Sequence, residues 1–403
     1  MFVSVLFFTS LSFADEFDDG FEDESEEVVV EEIQKKNYYL LGNVEQQANF
    51  ATHNTRPHNN LNALKSSLYL ESEYSFNENN KIRVSAKAFY DFIYDMQSDR
   101  SYTQEEKDDM RYEAEIFDLY LQGKITNNLD YKIGRQVLVW GRSDTIRVTD
   151  ILNPLDNRSP GVTDIEDLRL PVAMAKFDYY FGDWAASAIV IGETRYSKNP
   201  AFGSDFYPFA QRVPEPYKTN KPAYALNLQG TFSAWDMSLY AAKTTEDALL
   251  SHDEFYMFGY AFNTIYGSWL FKSEGAYFDK YRIQNTQDKT FSHILVGFEY
   301  NGINETVIAF DIANKFLKDS KDVTQSALRV SSDFMNDTLK GNYLLSLYGK
   351  SLNEGGFQRV WFDYEINDNF SSSIGYVDYI RGSPLFDVIN NNDMVFTSLK
   401  YSF

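Results

Sequence analysis

The sequence predicts an all-β fold, a transmembrane antiparallel up-and-down β-barrel of about 18 strands with short periplasmic turns and long extracellular loops. Three observations favour it. Apolar and polar residues alternate with a period of two along most of the chain, which is the pattern of β-strands. Short turns and long polar connections follow each other in strict alternation. The last residue, Phe403, closes an amphipathic strand in which Leu399 and Tyr401 lie on its own face.

Composition excludes several other classes. The chain has 403 residues, no cysteine, and 59 acidic against 37 basic side chains, for a net charge of −22. Its mean hydropathy of −0.42 excludes a bundle of membrane helices, because each helix needs about 20 mostly apolar residues. An acidic chain is a poor general binder of nucleic acid. Aromatic residues make up 17% of the chain, and a membrane barrel uses such residues as interfacial girdles.

The N-terminal region predicts export. Residues 1–14 are almost wholly apolar and end on Ser12-Phe13-Ala14, which predicts a signal peptide, although no Lys or Arg precedes it. Residues 15–37 form an acidic periplasmic tail, in which the stretch 15–32 carries 11 acids and no base. Such a block repels itself and cannot bury enough apolar surface to fold alone. It is interpreted either as a solvated tail or as a docking strip for a basic partner or divalent cations.

The barrel is predicted over residues 38–403. Eight short turns and nine long connections separate 18 segments of about 9–13 residues, a length that suits tilted transmembrane strands. A propeller would show a repeat of about 40–50 residues, which is not found. A soluble sandwich rarely needs so many strands of this length. Charged residues opposite the apolar face of the second and third strands are expected to face the lumen: Lys65, Glu71, Glu73, Arg83, Lys87 and Asp91.

Residues 141–170 are the candidate constriction of the pore. Asn153-Pro154 and Pro160-Gly161 mark tight bends. Apolar residues are interleaved with the charges, which suits a segment packed against the protein, and we expect it to fold inward and place paired charges across the lumen. A surface loop with ordinary salt bridges is the alternative. The charges are Arg142, Asp144, Arg147, Asp150, Asp156, Arg158, Asp164, Glu166, Asp167 and Arg169. The four arginines are expected to face the acids.

Arg135 is added to this constriction. Strict alternation places it on the lipid-facing side of its strand, where an arginine costs up to about 2–4 kcal/mol at the bilayer midplane. Gly134 is a natural position for a β-bulge. We expect a bulge there to turn Arg135 into the lumen.

A second long loop, residues 194–222, holds five of the ten prolines. Proline limits the conformations of a loop, so this loop is expected to form a structured lid or plug. It either recognises a ligand through its aromatic side chains or is a rigid lid without a ligand. The aromatic candidates are Phe202, Phe206, Tyr207, Phe209 and Tyr217.

Several short motifs resemble one family. They are Gly134-Arg135-Gln136, Trp140-Gly141, Asn153-Pro154 and Leu170-Pro171-Val172, together with the loop sequence from Gly203 to Pro208. The chain resembles the domain-of-unknown-function 1302 family of Gram-negative outer-membrane barrels, and its Gly-Arg-Gln element is similar to the alginate-export barrels, an 18-strand family. The resemblance implies an outer-membrane location and a porin-like or export role. In some relatives it also implies an inner-membrane transporter of the resistance-nodulation-division type as a partner. An acidic chain departs from the basic lumen that alginate would require.

The predicted function is an outer-membrane channel for passage or export of a small or amphipathic solute, since 16–18 strands leave an aqueous lumen. The alternative is a non-conducting anchor for a periplasmic or inner-membrane transport system. No enzyme activity, cofactor or metal site is predicted, because no nucleophile is placed beside a base and oxyanion donors. The expected partners are outer-membrane lipid, lipopolysaccharide and the barrel-assembly machinery. That machinery would recognise the C-terminal signal formed by Leu399, Tyr401 and Phe403.

Overall fold

The computed structural model describes residues 37–53, 60–96, 102–213, 221–246, 252–281 and 290–403. The predicted signal peptide, the acidic tail up to residue 36, and Tyr217 lie outside the described residues. So does the acidic stretch on which the anchor alternative depends.

The described residues form 18 β-strands joined by eight short turns and nine longer connections. The strands are β1 Tyr38–Ala51, β2 Leu61–Asn77, β3 Asn80–Asp91, β4 Tyr112–Thr126, β5 Leu129–Gln136, β6 Val172–Phe181, β7 Trp184–Ile191, β8 Ala223–Thr231, β9 Trp235–Thr245, β10 Glu254–Tyr266, β11 Trp269–Asp279, β12 Thr290–Ile303, β13 Thr306–Leu317, β14 Val323–Phe334, β15 Leu339–Tyr348, β16 Gly356–Glu365, β17 Phe370–Ile380 and β18 Met394–Ser402.

Every strand pairs antiparallel with its neighbours in sequence, and β1 pairs with β18, so the sheet closes on itself. The closing pair extends from Asn43 opposite Ser402 to Ala51 opposite Met394. Gly42 and Phe403 then exchange two backbone hydrogen bonds of 2.9 Å. Closure removes the edge strands that an open sheet would leave unpaired. The predicted closed 18-strand barrel is confirmed.

The short turns contain the residue types that tight hairpins need. Between β14 and β15, Asn336 and Asp337 take positive φ angles of 54° and 64°. Asn and Asp tolerate this conformation better than other non-glycine residues. Local turn chemistry of this kind is why all eight turns could be placed from the sequence.

The two faces of the wall differ in chemistry. On β11, Phe271 and Tyr277 are exposed, whereas the alternating Lys272, Glu274 and Ala276 are buried. The same alternation around the sheet gives an outer surface rich in exposed Leu, Ile, Val, Phe and Tyr. That surface matches the apolar band of a membrane barrel.

The described residues form two apolar clusters in the interior. The larger packs residues between β5 and β6 against the inner faces of β6 to β14, and it includes Trp140, Val148, Met257 and Leu295. The smaller lies near β16 to β18 and includes Phe206. An interior core of this kind means that part of the lumen is filled by side chains.

Within the described residues, the longer connections contain four short helices: α1 Ile93–Met96, α2 Gln104–Met110, α3 Ile165–Leu168 and α4 Pro384–Ile389. Thr103 and Glu106 form a capping box at the start of α2. In the part of the chain that the model describes, no helix has the length and apolar character to cross a membrane.

Candidate lumen constriction

The connection between β5 and β6, residues 137–171, is here called the β5–β6 segment. Asn153 ties its two ends together: its Oδ1 accepts from the Leu138 backbone N–H at 2.9 Å, and its Nδ2 donates to the Leu170 carbonyl at 2.7 Å. Arg147 donates to the Asn153 carbonyl at 3.0 Å. Because Asn153 is buried, these bonds form away from competing water and fix the shape of the segment.

A buried charge cluster lies inside the segment. Oδ2 of Asp150 accepts from Arg147 Nε at 3.1 Å and from Arg169 Nε at 2.8 Å. Asp150 and Arg169 are both buried. Charged groups removed from water need such partners, so these three residues act as a unit that holds the segment folded.

Glu274 on β11 accepts four hydrogen bonds from the segment. Its Oε1 accepts from the backbone N–H groups of Arg142 at 2.6 Å and Ser143 at 2.9 Å. Its Oε2 accepts from the Thr149 hydroxyl at 2.8 Å and from the Thr149 N–H at 3.3 Å. Glu274 is 1% exposed. A buried carboxylate with four donors joins the segment to the barrel wall.

Asp311 on β13 makes a second link. Its Oδ2 accepts from the hydroxyls of Ser143 and Thr145, each at 2.7 Å. Lys272 lies 3.7 Å from its other oxygen and 2.7 Å from Glu299. The inner wall therefore presents a buried ionic cluster to the segment.

The far side of the segment reaches other strands. Arg142 forms an ion pair with Asp236 on β9 and donates to Ser238 at 3.3 Å. Asp164 pairs with Arg329 on β14 at 3.0 Å and with Arg359 on β16. In a ring of 18 strands, β14 is diametrically opposite β5. The segment thus contacts inner-facing side chains of the opposite wall.

Apolar side chains complete the packing of the segment. Trp140, Ile146, Val148 and Leu152 are buried in the larger interior cluster. The Trp140 ring stacks on Tyr240 of β9 with a centroid distance of 4.6 Å. Burying a large apolar side chain contributes about 1.5–3 kcal/mol, so these residues add to the stability of the folded segment.

Two predicted residues, Asp156 and Arg158, lie against the adjacent wall instead. Arg158 donates to Asp156 Oδ1 at 2.8 Å and to Glu113 on β4 at 2.7 Å. Burial raises the pKa of Asp156, but the hydrogen bonds and charge of Arg158 outweigh that effect and hold the pKa below its ordinary value of 3.8. The same carboxylates raise the pKa of Arg158, although its burial lowers it. The pair is therefore ionised at neutral pH.

The remaining acids of the segment are on its surface. Asp144, Glu166 and Asp167 are exposed. The arginines expected to face them have other partners. Predicted charges of the two signs meet within the segment in the cluster of Asp150 with Arg147 and Arg169 and in the pair of Asp156 with Arg158.

The expected bulge at Gly134 is wrong. The registers of β5 with β4 and with β6 run unbroken through Gly134 and Arg135. Arg135 is opposite Leu119, which is 42% exposed, so its strand position is on the outer face. It pairs with Glu193 at 3.0 Å and donates to the Ile116 carbonyl at 3.1 Å. These partners compensate the charge, which removes the need to turn it inward.

Gly134 is needed for its backbone conformation and for close packing against β4, and not for a bulge. Its φ is 132°, and an added Cβ would lie 2.1 Å from the Leu119 carbonyl oxygen. Glycine is therefore required for the path of the strand.

The predicted lumen charges of β2 and β3 lie on the face opposite the exposed apolar residues. Arg83 pairs with Glu71 at 2.5 Å, and Lys81 pairs with Glu73 at 2.9 Å. The ammonium of Lys65 lies 4.7 Å from the centroid of the Phe89 ring. The ammonium of Lys87 lies 3.6 Å from the centroid of the Phe117 ring. Asp91 accepts hydrogen bonds from the backbone N–H groups of Leu64 and Ile93.

Sequence reasoning missed the partners of the segment on the wall: Asp236, Glu274, Asp311, Arg329 and Arg359. Each is a charged residue on the inner face of a strand whose outer face is apolar. The alternation of apolar and polar residues predicts that these charges face the lumen, but it does not predict which loop they contact.

The aromatic residues of the second loop divide into two groups. Phe206 is buried in the smaller interior cluster, 5.5 Å from the Tyr379 ring. Tyr207 contacts both Phe202, at 5.3 Å, and the exposed Phe209, at 5.9 Å. The loop is also held by Thr103, whose hydroxyl donates to the Phe202 carbonyl at 2.5 Å.

Within the described ranges, no group of three or more His, Asp or Glu side chains is arranged to hold a metal ion.

Comparison with known proteins identifies the family of this chain and solved structures with a similar fold. The model of the family described as "Protein of unknown function (DUF1302)" matches residues 30–403. No curated protein matches the chain. Among solved structures, OccAB3 of Acinetobacter baumannii is 12% identical with a TM-score of 0.59, covering 91% of this chain and 99% of its own. OccAB4 of the same species is 10% identical with a TM-score of 0.58, covering 92% and 99%.

OccK8 (OprE) of Pseudomonas aeruginosa is 10% identical with a TM-score of 0.56, covering 91% of this chain and 98% of its own. Identities this low show a shared fold, that of outer-membrane porin-like barrels. Because the family model matches almost all of the barrel, the chain belongs to the DUF1302 family.

Proposed function

We propose that the protein is a channel in the outer membrane of a Gram-negative bacterium, and that the β5–β6 segment narrows its lumen. The observation that carries the proposal is the link from the segment to the opposite wall through Glu274, Asp311 and Asp164. A segment held at both sides of a cylinder reduces its open cross-section. A barrel of 16–18 strands is otherwise wide enough to be an aqueous channel.

The passage lies beside β1 to β4, because the smaller apolar cluster fills part of the lumen near β16 to β18. On the other side, β6 to β14 and the segment form the larger apolar cluster, which fills the space. The open side carries inward-facing charges and rings. Lys87 over Phe117 and Lys132 over Tyr120, at 3.6 and 3.9 Å, are examples. Alternating charged and aromatic contacts suit a small or amphipathic solute.

The membrane setting follows from the outer surface. Lipid and lipopolysaccharide would contact the apolar band, and the barrel-assembly machinery would recognise Leu399, Tyr401 and Phe403, which are 48%, 40% and 46% exposed. A periplasmic or inner-membrane transporter is a further partner implied by the family resemblance.

Single-channel recording tests the proposal. Purified protein in planar bilayers is expected to give discrete conductance steps. A double variant, Asp164→Asn with Glu274→Gln, weakens both attachments of the segment and should give larger or noisier steps. Asp337→Asn, in a short turn away from the segment, is the matched control. Absence of steps in the wild type contradicts the channel, and steps unchanged in the double variant contradict the constriction.

A further inference from the structure

The outer face of the barrel carries a group of lysines at the loop end of β8 to β11. Lys243 is on β9, and its register partners are Tyr224 of β8 and Tyr256 of β10. Leu226 and Phe258, two positions further along those strands, are 60% and 57% exposed. Side chains two positions apart share a face of a strand, so Lys243 lies on the lipid-facing side, at the rim where the long loops begin.

Glu254, the first residue of β10, pairs with two of these lysines at once. Its Oε1 lies 2.9 Å from Lys243 Nζ, and its Oε2 lies 2.6 Å from Lys221 Nζ. The two lysine side chains are 38% and 57% exposed. An ammonium group has three donors, and Glu254 uses one from each lysine. Lys221 and Lys243 therefore retain donors for a further acceptor.

Lys280 follows β11 and is exposed. Its ammonium lies 5.0 Å from the centroid of the Tyr256 ring and, in the described part of the chain, has no carboxylate within ion-pairing distance. Asp279, the register partner of Tyr256, is on the same face. Lys221, Lys243 and Lys280 are here called the rim lysine cluster. These three lysines face two carboxylates, so the local charge is positive in a chain whose net charge is −22.

Apolar side chains continue this face toward the middle of the membrane. Leu226, Leu239, Phe258 and Tyr277 are all exposed, and the strand registers place them on the same side as Lys243. A ligand at this position would meet ammonium groups at the membrane surface and apolar side chains below them. A solute in the lumen is separated from the cluster by the barrel wall.

This combination fits a lipid that has several acyl chains and phosphate groups on its head. Phosphate oxygens accept strong hydrogen bonds from ammonium donors, and an anionic lipid surface attracts lysines that lie close to it. An isologous contact with a second copy of the chain would bring two positive clusters together, which is unfavourable.

We propose that the rim lysine cluster binds lipopolysaccharide through the phosphate groups of its lipid A, with the acyl chains along Leu226, Phe258 and Tyr277. The proposal rests on the outer-membrane location of the channel, and it names one lipid partner and its place on the barrel. The long loops lie at the outer surface in this topology, so the cluster is in the leaflet that contains lipopolysaccharide.

Native mass spectrometry of the full-length protein in detergent micelles tests the site. The probes are diphosphoryl lipid A, the same lipid A without its phosphates, and dioleoyl phosphatidylglycerol. A lysine near an anionic lipid surface contributes about a fivefold factor in affinity, so loss of the phosphates should raise the Kd about 100-fold for three lysines. Phosphatidylglycerol has a single phosphate and should bind about tenfold more weakly than diphosphoryl lipid A. Equal Kd values for lipid A with and without phosphates, or for lipid A and phosphatidylglycerol, overturn the proposal.

Substitutions then locate the site. Replacing the three lysines of the rim cluster with Gln should raise the Kd for diphosphoryl lipid A about 100-fold, and replacing them with Arg should retain binding. The matched control is Lys318→Gln/Lys321→Gln/Lys350→Gln. These lysines are also exposed at the loop end, but Glu354 and Asp322 each pair with one of them. Unchanged binding in the first Gln variant, or equal loss in both, overturns the assignment.

Conductance separates this inference from the channel function. If lipid A binds through the rim lysine cluster but the protein gives no conductance steps, the site stands and the channel function fails. If the protein conducts and lipid A binding is insensitive to the cluster, the channel function stands and the site fails.

Discussion

Replacing Glu274 with Gln should loosen the β5–β6 segment without altering the barrel. Each oxygen of the buried carboxylate accepts two bonds, Oε1 from the N–H groups of Arg142 and Ser143, and Oε2 from the N–H and hydroxyl of Thr149. The amide keeps one oxygen and turns an NH₂ group toward the other pair of donors. In the favourable orientation the NH₂ group faces Thr149, whose hydroxyl then accepts from it, and the buried N–H of Thr149 is left without an acceptor.

The magnitude follows from that one donor. An unsatisfied buried polar group costs about 1–3 kcal/mol, so the folded segment loses about 1–3 kcal/mol relative to its detached form. Each 1.4 kcal/mol is a factor of about ten. The lower limit alone therefore increases the detached population about fivefold.

Hydrogen exchange measured by mass spectrometry reports this population directly. In the variant, the amides of Arg142, Ser143 and Thr149 should exchange about fivefold faster or more, while the amides of the β1–β18 pair keep their protection. Glu45→Gln is the matched control, because Glu45 is on β1 and has no described contact with the segment. Equal protection of the three amides in Glu274→Gln and wild type would refute the role assigned to the carboxylate.

Three other perturbations give separate tests. Glu193→Ala leaves Arg135 unpaired on the outer face and should lower the free energy of unfolding by up to about 2–4 kcal/mol. The double variant Arg135→Leu/Glu193→Ala should recover that loss in urea unfolding from vesicles, and no recovery would contradict the outward position. Phe403→Ala removes the ring 5.9 Å from Tyr401 and should cost about 0.5–1.5 kcal/mol. It should lower the yield of heat-modifiable folded barrel on gels, whereas Phe403→Trp should not. Finally, the pKa of Asp156 lies below 3.8, so its pairing with Arg158 stabilises the segment fully above that pH and is lost as the pH falls through the lowered pKa. Asp156 should therefore make no contribution to any change in conductance between about pH 5 and pH 7. A change in that range that Asp156→Asn abolishes would contradict the lowered pKa.

The barrel was predictable because its signals are local. Alternation along a strand decides which side chains face lipid, and turn residues such as Asn336-Asp337 decide where the chain reverses. Each of these depends on a few adjacent residues. The number and order of strands follow from them without knowledge of distant contacts, and the closing pair of β1 with β18 follows from the absence of water to satisfy an edge in lipid.

The partners of the segment were not predictable in the same way. Asp164 could have paired with any arginine in its own loop, and the structure instead pairs it with Arg329 and Arg359, more than 160 residues later. Such pairings depend on where the segment lies in three dimensions. The prediction for Arg135 was wrong for another reason. Alternation placed it correctly, but the sequence does not show that Glu193 is near enough to compensate its charge.

The most direct measurement of the central claim is a disulfide across the lumen. The chain has no cysteine, so the pair Ser143→Cys/Asp311→Cys can be scored by mass alone in the folded, membrane-inserted protein. The side chains of these two residues are in contact at 2.7 Å, and mild oxidation should link them in nearly every molecule. Ser143→Cys/Ser67→Cys, with the second cysteine on β2, should remain unlinked. If both pairs stay reduced and separately alkylated, the β5–β6 segment does not lie against the opposite wall, and the constriction is wrong.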